Sequence, residues 1–166
     1  MAAINILYIS IEGNTRSFLS HLQTFAKQQH SINPKNAEIT LREITNQTIP
    51  APESKPFFVF VPTYLDGGNG IDSGFTELMT NSLGEYIASN HNADKCLGIV
   101  GSGNKNFNEQ YCLTARMYAH RFHSPFLADY ELRGTSQDVE RIYEILVKRL
   151  NEVENENGDS SDEQKK

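Results

Sequence analysis

The chain has 166 residues, with 15 Lys+Arg against 21 Asp+Glu and a formal net charge of −6; its length suits one domain with a proper core. Six of the acids and two of the lysines sit in the last sixteen residues, Asn151 to Lys166, so residues 1–150 carry 13 basic against 15 acidic side chains. A nearly neutral body without a basic face argues against nucleic acid, and no apolar run approaches the about 20 residues of a membrane span.

Ile4, Ile6, Leu7, Tyr8 and Ile9 form a near-continuous apolar run, the pattern of a strand buried on both faces of a parallel sheet. Ser10-Ile11-Glu12-Gly13-Asn14-Thr15 then turns the chain into a helical pattern, with Phe18, Leu19, Leu22, Phe25 and Ala26 on one stripe. Strand, small polar loop and helix together aim free backbone N–H groups at an anion. The plainer reading is an ordinary turn with Asn14 or Thr15 as helix cap. Ala37 to Ile44 reads as a second strand at an edge. Thr45 to Pro56 holds Pro50, Pro52 and Pro56 and reads as a connection. Phe57 to Val61 is a third, central strand, ended by Pro62.

Pro62 to Asp72 is a glycine-rich loop. Phe75, Leu78, Met79, Leu83, Tyr86 and Ile87 recur at helical spacing, capped by Asp72 or Ser73. Leu97 to Val100 is a fourth strand, and Gly101 to Asn108 a second polar loop. Tyr111, Cys112, Ala115, Tyr118, Ala119 and Phe122 define a third helix, and Phe126 to Leu132 a fifth strand. Thr135-Ser-Gln-Asp138 has the form of a capping box before a helix that uses Val139, Ile142, Leu146, Leu150 and Val153. The single domain therefore spans residues 1–153. Residues 154–166 are acidic, lack apolar periodicity and are expected to be disordered.

This order, β-α-β-β-α-β-α-β-α, predicts a parallel sheet with helices on both faces, an α/β three-layer sandwich. Five strands suit the flavodoxin-like order 2-1-3-4-5, whose ligands bind outside the carboxyl ends at the switch between the first and third strands. Three loops meet there: Ser10–Thr15, Thr63–Asp72 and Gly101–Asn108. All are rich in Gly, Asn, Ser or Thr.

Gly101-Ser102-Gly103-Asn104-Lys105-Asn106 lacks the third glycine of a dinucleotide fingerprint and follows the fourth strand, which excludes the NAD reading. The five His residues show no metal-ligand spacing. Cys96 and Cys112 form no CxxC pair and no secretory signal opens the chain, so reduced thiols in a cytoplasm are expected. The loops suit a flat polar heterocycle that carries a phosphate. The first would cradle the phosphate and the other two would grip the ring, with Tyr64, Phe107 and Tyr111 as the nearest aromatics. Tyr111 equally fits the buried stripe of its helix.

Taken together, IEGNT, VPTYLDGGNG, GIVGSGNKNFNEQY and YELRGT resemble the NrdI family, small flavodoxin-like FMN proteins that serve class Ib ribonucleotide reductase. GSGNKNFNEQY is the most specific piece, and the resemblance spans nearly the whole chain up to the tail. It implies bound FMN, an unidentified reductant, and a partner in the reductase's dimanganese radical subunit. The reduced flavin would meet molecular oxygen and send a superoxide-type oxidant to the metals, so generating the tyrosyl radical. Residue by residue, it places Ser10, Glu12, Gly13, Asn14 and Thr15 at the phosphate. Thr63, Tyr64, Gly67 and Gly68 fall on one side of the ring, and Ser102, Gly103, Asn104, Asn106 and Phe107 on the other. Glu12 departs from the family pattern, where related loops often carry a hydroxyl, and so do Leu65, Asp66 and Asp72 around the ring-loop glycines.

Two other functions share this fold: an ordinary flavodoxin carrying single electrons, and a flavin-free interaction module. Ordinary flavodoxins tend to be strongly acidic and often place Trp beside the ring. This chain has no Trp and a nearly neutral body, which argues against the first. Flavin binding separates both flavoprotein readings from the second.

Overall fold

The computed structural model describes residues 3–10, 13–63, 65–66, 76–77, 82–103 and 112–165, with backbone alone for 65–66, 76–77 and 157–165. In chain order the elements are β1 (Ile4–Tyr8), α1 (Asn14–Ile32), β2 (Ile39–Glu43), β3 (Phe57–Pro62), β4 (Leu65–Asp66), β5 (Thr76–Glu77), α2 (Ser82–Ala88), a 3-10 turn (Asn92–Lys95), β6 (Cys96–Gly103), α3 (Leu113–Phe122), β7 (Phe126–Glu131) and α4 (Ser136–Lys165). The large sheet is parallel, in the order β2-β1-β3-β6-β7. Counting only its own strands, that is the expected flavodoxin-like order 2-1-3-4-5.

Successive strand residues point to opposite faces, and the two cores divide accordingly. Ile4, Ile6 and Tyr8 of β1 and Phe58 and Phe60 of β3 pack with Phe18, Leu19 and Leu22 of α1 and with Ile142 and Leu146 of α4. On the other face, Leu7, Phe57, Val59 and Val61 pack with Leu83 and Ile87 of α2 and Ala115 and Tyr118 of α3. All six residues of β3 are buried, as a central strand of a covered sheet requires. Fully burying a side chain such as Phe60 is worth about 1.5–3 kcal/mol, so this strand anchors both layers.

Helix α3 lies close on β6, because a Cβ on Gly101 would stand 2.5 Å from the Cβ of Ala115. No helix joins β2 to β3. Their connection is held instead by Asn92, 1% exposed. The Oδ1 of Asn92 accepts the Glu53 amide at 2.8 Å, and its Nδ2 donates to the carbonyls of Ala51 and Tyr86, each at 3.0 Å. The Glu53 carboxylate pairs with Arg42 and accepts the Tyr86 hydroxyl at 2.6 Å. Burial first, and then this carboxylate, push the Tyr86 phenol up to about 12.

Two expectations are corrected. The second helix is not continuous from Phe75: Thr76–Glu77 forms a two-residue strand antiparallel to Leu65–Asp66, the helix is described from Ser82, and Asp72, Ser73, Phe75, Leu78 and Met79 lie outside the described residues. Apolar spacing carried the helical expectation too far, since backbone pairing to β4 takes these two residues first. The polar loop expected from Gly101 begins later, because β6 continues through Gly103, with Gly101, Ser102 and Gly103 paired to Asp129, Tyr130 and Glu131. Helix α4 is described to Lys165, past Val153. Among the described side chains, Val153 is the last of α4 that packs against the core. Beyond it the helix continues on its local backbone hydrogen bonds, without a Pro to stop it.

Candidate functional site at the β1/β3 switch point

Strand β1 pairs with β2 on one side and β3 on the other, so its carboxyl end opens where the chain direction of the crossovers reverses. Ser10 lies just beyond β1. Its Oγ accepts the backbone amides of Gly13 at 3.2 Å and Arg16 at 3.4 Å. The N-cap of α1 is Gly13, neither Asn14 nor Thr15, and it makes no side-chain cap. Its φ of 92° is left-handed, a conformation that glycine adopts without the clash of a Cβ. This turn leaves Asn14 and Thr15 as the first two helical residues, and their amides have no intrahelical acceptor.

Thr15 is 1% exposed, and its Oγ1 has no hydrogen-bond partner among the described residues. A buried hydroxyl without a partner costs about 1–3 kcal/mol. An anion at the amino end of α1 supplies the missing acceptor and is itself favoured there by the helix dipole. The residues present therefore fit a phosphate group.

Two arginines border this cradle, neither of them among the residues expected at the site. Arg16 donates to the Glu43 carboxylate from Nε at 3.1 Å and from Nη2 at 2.7 Å. Burial, and then the Glu43 carboxylate, push the Tyr8 phenol above its ordinary value. Arg133, on the loop between β7 and α4, donates from Nε to Asn14 Oδ1 at 3.2 Å. The available signal was topological: every loop after a strand of this sheet opens on the same edge.

On the ring side, the Thr63 amide donates to the Ser102 carbonyl at 2.9 Å. The Thr63 hydroxyl accepts the Thr114 amide at 3.1 Å, at the start of α3. Thr63 and Ser102 are buried, and the Gly103 carbonyl accepts the Leu132 amide at 3.0 Å. The Thr114 Oγ1 is buried without a hydrogen-bond partner among the described residues. The structure thus brings Ser10, Gly13, Asn14 and Thr15 together at one helix end, and Thr63, Ser102 and Gly103 together at the ends of β3 and β6. Glu12, Tyr64, Gly67, Gly68, Asn104, Asn106, Phe107 and Tyr111 lie outside the described residues.

The sequence model of the family described as "NrdI Flavodoxin like" matches residues 6–144. A Streptococcus pyogenes serotype M18 protein named "Putative NrdI-like protein" is 50% identical over 150 residues, 90% of this chain and 96% of its own length. A Streptococcus pneumoniae protein of the same name is 42% identical over 158 residues, 95% of this chain and 100% of its own. Among solved structures, a short-chain flavodoxin associated with a non-canonical PDU bacterial microcompartment superimposes with a TM-score of 0.62 at 18% identity, covering 91% of this chain and 98% of that one. The last of these shares the fold; the first three findings, which span most of the chain, show that it belongs to the NrdI flavodoxin-like family.

Proposed function

We propose that the protein binds FMN at the β1/β3 switch point and activates class Ib ribonucleotide reductase. One observation carries the binding: the buried Thr15 hydroxyl at the amino end of α1, without a hydrogen-bond partner among the described residues. Ser10, Gly13, Asn14 and Thr15 hold the phosphate, through backbone amides and side-chain donors. Thr63, Ser102 and Gly103 give the backbone edge against which the ring rests, completed by Glu12 at the phosphate and by Tyr64, Gly67, Gly68, Asn104, Asn106, Phe107 and Tyr111 around the ring. When bound and reduced, the flavin supplies electrons to molecular oxygen, and thus a superoxide-type oxidant to the dimanganese radical subunit. The chain acts as a redox accessory to that subunit, with a separate protein as its reductant, in the cytoplasm.

The test is a visible spectrum after incubation with FMN, followed by reduction and mixing with the host's manganese-loaded radical subunit under air. Flavin absorption and growth of a tyrosyl-radical signal are expected. A protein that binds FMN but generates no radical is an electron carrier of the ordinary flavodoxin kind, and one that stays colourless in excess FMN is an interaction module.

A further inference from the structure

We propose that Arg133 is a positioning residue of the phosphate cradle, turning the Asn14 amide so that its N–H donors face the anion and adding a positive charge there. This rests on the FMN reading above. Asn carries an acceptor oxygen and an NH₂ group on opposite sides of one planar amide. At the first residue of a helix that receives a phosphate, the two orientations are opposite in effect, since the oxygen repels the anion and the NH₂ group binds it. Arg133 has only donors, so the atom that meets its Nε at 3.2 Å must be Oδ1. The NH₂ group is left to face the cradle.

The charge argument is separate. Arg16 also borders the cradle, but the Glu43 carboxylate holds it through two hydrogen bonds. Among the described residues, Arg133 meets no carboxylate at ion-pair distance, in contrast to Arg16. The anion-seeking character of the site stands on an independent feature, the buried Thr15 hydroxyl that has no hydrogen-bond partner among the described residues.

The experiment titrates the full-length wild type, Arg133→Met and Arg133→Lys with FMN and with riboflavin, at low and high salt and at pH 5.5 and 7.5. Arg133→Met is expected to weaken FMN binding about threefold to tenfold and to leave riboflavin binding unchanged. The loss shrinks at high salt, and Arg133→Lys restores its salt-dependent part. A phosphate monoester gains its second charge near pH ~6, so wild-type affinity for FMN rises between the two pH values and that of Arg133→Met rises less. Equal losses for FMN and riboflavin would reduce Arg133 to a structural role and overturn the proposal. So would an unchanged FMN affinity in Arg133→Met. Wild-type protein that binds neither flavin overturns the FMN reading itself and the proposal with it.

Discussion

The hydroxyl of Thr63 accepts the backbone amide of Thr114 at 3.1 Å, tying the carboxyl end of β3 to the amino end of α3 across 51 residues. The bond is buried, so its loss strands an amide away from water. Thr63→Val keeps the shape and removes the acceptor. It is expected to destabilise the flavin-free protein by about 1–3 kcal/mol, while Thr63→Ser retains most of that stability. Urea unfolding of the three proteins checks this, and coincident curves for wild type and Thr63→Val would contradict it.

Thr15 should behave in the opposite way. Its Oγ1 has no partner among the described residues, so an isosteric methyl is expected to cost folding nothing. Thr15→Val is therefore expected to match or exceed the wild type in thermal stability without flavin. FMN affinity should fall by about 1.5–3 kcal/mol, the worth of a charge-assisted hydrogen bond. Calorimetry with and without FMN separates the two effects.

Gly13 tests backbone conformation alone. Its φ is +92°, and nothing lies within 4 Å of a Cβ built there. Gly13→Ala is expected to cost about 1–2 kcal/mol from the left-handed conformation, and Gly13→Asn less, since Asn tolerates that region better. Equal stability of all three proteins in chemical denaturation would show that the turn relaxes into another conformation.

The start of α4 carries a pH dependence. The Thr135 amide donates to Asp138 Oδ2 at 2.9 Å and the Asp138 amide to Thr135 Oγ1 at 3.1 Å, a reciprocal capping box. Burial pushes the Asp138 carboxyl up, but Arg141 and hydrogen bonding to the carboxylate from the Thr135 amide and hydroxyl outweigh it and hold the group below its ordinary value. A carboxyl lowered by folding adds stability above its unfolded value, about 3.9. That stability is lost as the pH falls through the unfolded value toward the folded one. Asp138→Asn should flatten the acid limb of the stability curve below pH ~5, and Thr135→Ala should cost about 0.5–2 kcal/mol at neutral pH. Thermal unfolding from pH 3 to pH 7 measures both.

Truncation after Val153 is expected to leave folding and FMN affinity unchanged. Residues 154–156 are exposed, and Val153 is the last described side chain of α4 that packs on the core. Circular dichroism should show a loss of helix signal with no shift in melting temperature. A lower melting temperature would show that the extension of α4 is structural.

Local periodicity was enough to read the layers from the sequence. The unbroken apolar run from Phe57 to Val61 marks a strand buried on both faces. The stripe through Phe18, Leu19, Leu22 and Ala26 marks a helix on one face, and Thr135 with Asp138 marks a helix start. Each pattern acts within a few residues, so the sequence carries it whole. The first, third and fourth strands of the sheet end at one edge, as its parallel order requires. Only the tertiary structure decided which groups meet there. Gly13 rather than Asn14 or Thr15 takes the cap, because Ser10 already occupies the amides of Gly13 and Arg16. Pairing with β7 extends β6 through Gly103, and pairing with β4 makes Thr76–Glu77 a strand where apolar spacing favoured a helix. Arg133 and Asn14, 119 residues apart, meet only because β7 and β1 open on the same edge. These contacts follow from hydrogen bonds and packing between distant segments, whose energies no local pattern of residues records.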